Sequence, residues 1–240
     1  MLDIVHDLVR AANTRVTLPS EAFNPLERPD ADIALWDVRN GAEILSNGTC
    51  QFSDGVKILA TGRESRVYLS DGAALEGTQI ISQGRGCLVF IGPGCRLRKA
   101  TIKVWGSNCV FIIGAGTTWE SGAGLCSIAD QYVVIADDCM ISNSVMIRTD
   151  DGHGIFDRQT QERINTSKPV VIEPHVWLGN GSRVNKGARI GTGTVLAGAA
   201  IASGTLEERS IYAGTPARKL KGDIAWSRTF SWEDIPEDYR

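Results

Sequence analysis

Histidine is nearly missing from this chain: His6, His153 and His175 are the only three among 240 residues. A metal centre built on imidazoles therefore has little to draw on. The six cysteines, at 50, 87, 95, 109, 126 and 139, include no C-x-x-C pair, which removes the usual spacing of a zinc or dithiol redox site. They are expected to be reduced, structural thiols of a cytosolic protein. No apolar run approaches the roughly 18 residues of a membrane span. A formal net charge of -3 gives no reason to expect nucleic acid or an anionic membrane as the main partner. Prolines number only 8 against 26 glycines, and so many glycines imply many tight turns in a β-rich architecture.

What is present is a rhythm. Counting in sixes from Ile172 gives Leu178, Val184, Ile190 and Leu196, closing on the smaller Ala202. Upstream the step recurs at Leu69, Leu75, Ile81 and Cys87, then at Ile91 and Leu97. It returns at Ile113, Trp119 and Leu125, and again at Ile135, Ile141 and Ile147. A period of six is neither helical nor simple strand alternation. It fits short strands joined by tight corners, three to a triangular coil of about 18 residues, stacked on a continuous aliphatic column. Stretches near 98–112 and 126–134 break the rhythm and are expected to be irregular coils or small insertions.

The expected organisation is a helical or irregular extension over residues 1–50, a β-helix over 51–215 and a tail over 216–240. The N-terminal stretch places Leu2, Val5, Leu8 and Val9 on one side of a short amphipathic helix, with Asp3, Asp7 and Arg10 interspersed, which reads against a signal peptide. A cytoplasmic location is expected.

From His175 the chain reads HVWLGNGSRVNKGARIGTGTVLAGAAIASG, followed by SIYAGTPARKLKGDIAWSR. With K-P-V-V-I before it and a histidine in the preceding loop, this resembles the hexapeptide-repeat acyltransferases, above all the sugar and capsular polysaccharide O-acetyltransferases. The resemblance is close over residues 135–226 and general over 56–134. It implies an all-β, left-handed parallel β-helix, a homotrimer with active sites between subunits, and acetyl transfer from acetyl-CoA to a carbohydrate hydroxyl in surface-glycan biosynthesis. Glu173–Pro174 stands where such proteins usually have a Gly-Asp or Gly-Asn turn.

From Ile147 to Ile172 the step is 25 residues, one more than a multiple of six, and the segment is rich in charge. Residues 148–169 are therefore expected to leave the coil as a loop, carrying His153 outside it. Removing a proton from an attacking hydroxyl suits an imidazole, and the resemblance makes His153 the catalytic base. Asp151, two residues away, could hold the imidazole tautomer. A backbone N–H near Gly152 or Gly154 could receive the oxyanion. The resemblance gives Trp177 a place beside the histidine and the acetyl donor; packing against a neighbouring subunit is its plainer use. His175 is expected to be an outward-facing structural residue. Trp226 and Trp232 are expected to pack the tail.

By the same resemblance Asn180, Gly198 and Ser203 line the pantetheine path, and Arg218 and Lys221 meet the nucleotide phosphates of coenzyme A. Alternatives are N-acylation of an amino-sugar nucleotide, or a structural β-helix without catalysis. A zinc enzyme of this fold would need three histidines that this chain does not supply in the right elements, so no metal is expected.

Overall fold

The computed structural model describes residues 2–240. After helix α1 (Asp3–Ala11) the chain is built of short strands, which stack into three sheets of 9, 9 and 8 strands. Nearly all neighbouring strands are parallel, and each coil visits face one, then face two, then face three. The fold is the all-β parallel β-helix that the repeat predicts, with one projecting loop and short helices at both ends.

Inward residues form columns. Leu69, Ile91, Ile113, Ile135, Ile172 and Ile190 stand in register on face one. Leu75, Leu97, Trp119, Ile141, Leu178 and Leu196 do so on face two. Ile80, Ile102, Gly124, Ile147, Val184 and Ala202 do so on face three. All but Gly124 belong to a single buried apolar cluster. Each large aliphatic residue so buried contributes about 1.5–3 kcal/mol. Gly124 is needed for space: a Cβ there would lie 2.4 Å from the Phe111 ring and 3.1 Å from that of Trp119.

Downstream of Ile172 every residue of the six-step series points inward, and a coil takes 18 residues until the last, from Ile190 to Leu206, which takes 16. Upstream the step needs correcting. A coil there advances 22 residues, from Leu69 to Ile91, and Ile80 rather than Ile81 turns inward. The extra residues sit at the corner between faces three and one. Arg85, Ser107 and Ala129 bridge one another there in parallel, so the apparent interruptions are a second, stacked repeat.

The coils also begin earlier than residue 51, because Ile33–Val38 already pairs in parallel with Val56–Ala60. Its register slips between Ile33 and Leu35, and Leu35 and Val38 are exposed, so no hexad signal marks it. Ahead of it, the N-terminal segment lies across the outside of face one. Val5, Ala12 and Phe23 pack there on Tyr68, Phe90, Ile112 and Val134. Face one is thus covered on both sides, which explains uninterrupted apolar strands such as Leu88–Ile91 and Val110–Ile113.

Glu173 accounts for the unusual Glu173–Pro174 corner. Its carboxylate takes the Arg189 guanidinium and, at 2.6 Å, the Thr14 hydroxyl, tying the N-terminal segment down. Several thiols act as small corner donors. Cys95 Sγ reaches Gly114 O at 3.0 Å and Cys139 Sγ reaches Glu173 O at 3.2 Å, as Thr117 Oγ1 reaches Ala136 O at 3.1 Å. Burial pushes both thiols up to about 12, so they keep their protons.

Candidate active site

Strand Val145–Arg148 on face three ends at the corner leading to face one, and Val170–Ile172 resumes the stack. Lys168 N donates to Thr149 O at 3.0 Å, closing the neck of a loop between them. Hydrogen bonds between Ile164 N and Ile155 O, and between Asp157 and Glu162, fold its outer part into a small hairpin. Ile155, Phe156 and Ile164 are exposed on it.

His153 lies near the base of this loop, exposed, and its imidazole has no hydrogen-bond partner among the described residues. The backbone around it is held firmly. Asp150, buried, accepts from Gly152 N at 2.6 Å and from the Ser127 hydroxyl. Gly152 N is thereby engaged, which leaves the Gly154 amide as the remaining oxyanion candidate of the two. Asp151 faces Lys186 Nζ at 2.5 Å and Asn165 Nδ2 at 2.9 Å, and its other oxygen lies 4.0 Å from Arg148 Nη2. Lys186, then Asn165, hold the Asp151 carboxyl below the ordinary aspartate value. The carboxylate therefore anchors the loop to the next coil, and the imidazole is not among its partners within the described residues.

Trp177 is on face two, in register with Met140 and Val195, its indole N–H 3.3 Å from Ser142 Oγ. Asn180 follows at the corner between faces two and three. Directly over it lies Gly198, and Ala199 N donates to Asn180 O at 2.8 Å. Asn180, Gly198 and Ala199 are exposed, so an extended chain can approach the backbone there. Arg218 and Lys221 lie on the exposed strand Arg218–Lys221, which closes face two by pairing antiparallel with Ile211–Ala213. Neither forms an ion pair among the described residues, whereas Lys219 between them holds Glu207 at 2.5 Å. Ser203 is exposed at the far corner, between faces three and one, in the coil above Asn185.

The residues expected to act together thus fall into two groups. His153, Asp151 and Ser203 lie at the corner between faces three and one. Trp177, Asn180, Gly198, Arg218 and Lys221 lie on face two and its corner with face three. In a triangular coil, face two is the side opposite the corner that bears the loop.

His175 faces away from the coil interior, as expected, but it is buried at 2% exposure beneath the C-terminal tail. Its ring is stacked between Trp226 and Tyr239, with centroids 4.1 and 4.3 Å away. Trp226 packs the tail as expected, whereas Trp232 is 58% exposed. Asn165 and Lys186 were missed from the sequence. Neither falls on an apolar repeat position, and Asn165 works through partners 10–14 residues away.

No protein-family model matches the chain. It is 35% identical over 120 residues to a polysialic acid O-acetyltransferase of Escherichia coli O1:K1. That match takes in 50% of this chain and 39% of the other, so the chain spans well under two thirds of that relative. Among solved structures, the polySia-specific acetyltransferase NeuO superposes with a TM-score of 0.66 at 27% identity, over 83% of this chain and 92% of that one. The polysialic acid O-acetyltransferase OatWY superposes with a TM-score of 0.78 over 86% of this chain and 99% of that one, and at 23% identity it speaks for the fold. The homologues found are thus O-acetyltransferases, in agreement with the resemblance drawn from the hexad ladder and its flanking motifs.

Proposed function

We propose that this protein is an acetyl-CoA-dependent O-acetyltransferase acting on a hydroxyl of a bacterial surface glycan, with His153 as general base. The observation that carries the reading is the loop. In a stack whose other corners are tight, one corner opens to hold a single exposed imidazole on a braced backbone. The relatives' names, which specify polysialic acid as their acceptor, support an anionic capsular glycan as the first acceptor to try.

In this mechanism the imidazole removes the proton of the acceptor hydroxyl as its oxygen attacks the thioester carbonyl carbon. A tetrahedral oxyanion forms, and the Gly154 amide is suited to meet it. Collapse breaks the carbon–sulfur bond, and the imidazolium returns its proton to the departing thiolate. The donor path runs over the small surface of Ala197, Gly198 and Ala199 past Asn180, with the exposed Arg218 and Lys221 suited to phosphate. Trp177 flanks that path. Because the base and this path lie on opposite sides of one coil stack, the complete site joins two chains of a cyclic oligomer, a trimer in this reading.

His153→Ala is expected to lower transfer at least about a hundredfold, with coenzyme A binding unchanged by calorimetry. Labelled acetyl-CoA incubated with polysialic acid and other bacterial glycans, followed by NMR location of the ester, identifies the acceptor. Near-normal turnover of the alanine variant would remove His153 as the base.

A further inference from the structure

Most of the catalytic loop is exposed, yet beyond its neck residues Thr149 and Asp150 the side chain of Asn165 is also buried, at 8% exposure. Its two amide ends face opposite kinds of partner. Oδ1 accepts from Ile155 N at 2.7 Å and from Arg163 Nε at 3.1 Å. Nδ2 donates to His153 O at 2.8 Å and to Asp151 Oδ2 at 2.9 Å. Two donors on the oxygen and two acceptors on the nitrogen fix the orientation of the amide.

The two backbone contacts, His153 O and Ile155 N, flank Gly154. One side chain therefore clamps both peptide groups around a glycine, the residue with the greatest backbone freedom. On the other side of the histidine, Asp150 takes Gly152 N. The imidazole itself has no partner among the described residues, so its position depends on the main chain that carries it. The Asp151 contact extends the clamp to Lys186, and through it to the coil stack.

We infer that Asn165 is the positioning residue of the site: it holds the His153 main chain, and with it the Gly154 amide, in the geometry that acetyl transfer requires. The inference rests on the reading of His153 as the base. Asn165 touches no reacting atom, and its effect passes through the loop backbone. Replacement by aspartate keeps the size and both acceptor contacts but sets a carboxylate oxygen against His153 O and Asp151, so it breaks the donor half alone. Alanine breaks both halves.

The test is a cycle of Asn165→Ala, Asn165→Asp, His153→Ala and the Asn165→Ala/His153→Ala pair. It is read with labelled acetyl-CoA and whichever glycan of the panel accepts acetyl most rapidly. Since a displacement of about 1 Å at a reacting group costs on the order of a hundredfold, Asn165→Ala is expected to lower kcat about 10–100-fold. KM for acetyl-CoA should stay within about twofold, since the donor path lies on face two. Asn165→Asp should be impaired as well. In the His153→Ala background Asn165→Ala should add no further loss, because nothing remains to be positioned. Melting temperatures should stay near that of the parent, as the clamp lies outside the coil core.

If Asn165→Ala turns over within about twofold of the parent while His153→Ala is inactive, the positioning role fails and the base stands. If Asn165→Ala lowers the residual rate of His153→Ala further, or weakens coenzyme A binding with it, Asn165 is merely structural and the inference fails. Near-normal turnover of His153→Ala, or no acceptor in the panel, removes the base and the positioning role together.

Discussion

Asp151 stands two residues before His153, where a carboxylate could serve the imidazole, but its Oδ2 is taken by Lys186 and Asn165 and its Oδ1 lies 4.0 Å from Arg148 Nη2. An orienting carboxylate and an anchoring one give different mutational patterns. If Asp151 anchors the loop, Asp151→Asn and Lys186→Met each loosen the same contact and lower kcat by a similar factor, about tenfold. An orienting carboxylate would instead make Asp151→Asn worse by orders of magnitude, on the order of 10⁴-fold, with Lys186→Met almost unaffected. We expect the anchoring pattern in steady-state kinetics. The pH dependence agrees in sign. A carboxyl held low by Lys186 and Asn165 is fully engaged above the ordinary aspartate value of 3.8 and is released only as pH falls below it. Loss of the anchor should therefore show on the acid side of a kcat/KM profile. The loop and its histidine were legible in the sequence because polarity broke a regular pattern. The residues that brace the loop were not, since a hydrogen bond across 10 or 14 positions leaves no periodic trace.

Among the elements, the C-terminal tail depends on one strained corner. Gly72, Gly94 and Gly116 stack at the corner between faces one and two with φ of 72, 63 and 66°. The next two places in that column are Asp138 and His175, at 56 and 55°. A non-glycine residue in this region costs about 1–2 kcal/mol. The cost is offset by what the side chains hold. His175 Nδ1 lies 2.7 Å from Asp138 Oδ2, Nε2 lies 3.0 Å from Trp226 O, and Trp226 Nε1 donates to His175 O at 2.9 Å. Arg228 adds contacts to Asp138 Oδ1 at 3.0 Å and to Cys139 O at 3.1 Å. His175→Ala should weaken tail docking by about 2–4 kcal/mol, from buried hydrogen bonds and two ring stacks. Limited proteolysis and Trp226 fluorescence would read the release, while the coil core keeps its far-ultraviolet circular dichroism. Burial opposes ionisation of Asp138, but His175 and Arg228 outweigh it and hold the carboxyl low. The stabilisation is complete above 3.8 and is lost as pH falls below it, so acid should free the tail in a fluorescence titration. The stacked coils were legible in outline. The 22-residue coils were hidden because their extra corner residues pair only with one another, and Ile33–Val38 was hidden by its exposed Leu35 and Val38.

At the scale of the whole molecule, the coil stack separates the residues that the proposed chemistry brings together. The hexad ladder was legible because stacking forces one inward side chain per strand, and the inward columns follow from it. Which face each outward residue occupies follows from the coil count, and there His153 and Trp177 part company. The loop leaves the corner between faces three and one and is tied back to that corner through Lys186. Trp177 points out from face two, on the other side of the triangle. A site using both therefore needs a second copy of the chain, whose face two meets the first chain's loop. Mixing two inactive variants tests this directly. In one, His153→Ala removes the base; in the other, Trp177→Ala removes the donor wall. Refolded together in equal amounts, they form some contacts where an intact His153 meets an intact Trp177, and random cyclic assembly makes about a quarter of all sites complete. Recovery of transfer to about that fraction of the parent, with none for either variant alone, is the expected result. No recovery in mixtures shown by mass to contain both chains would place base and donor path within one chain, against the geometry of the triangle.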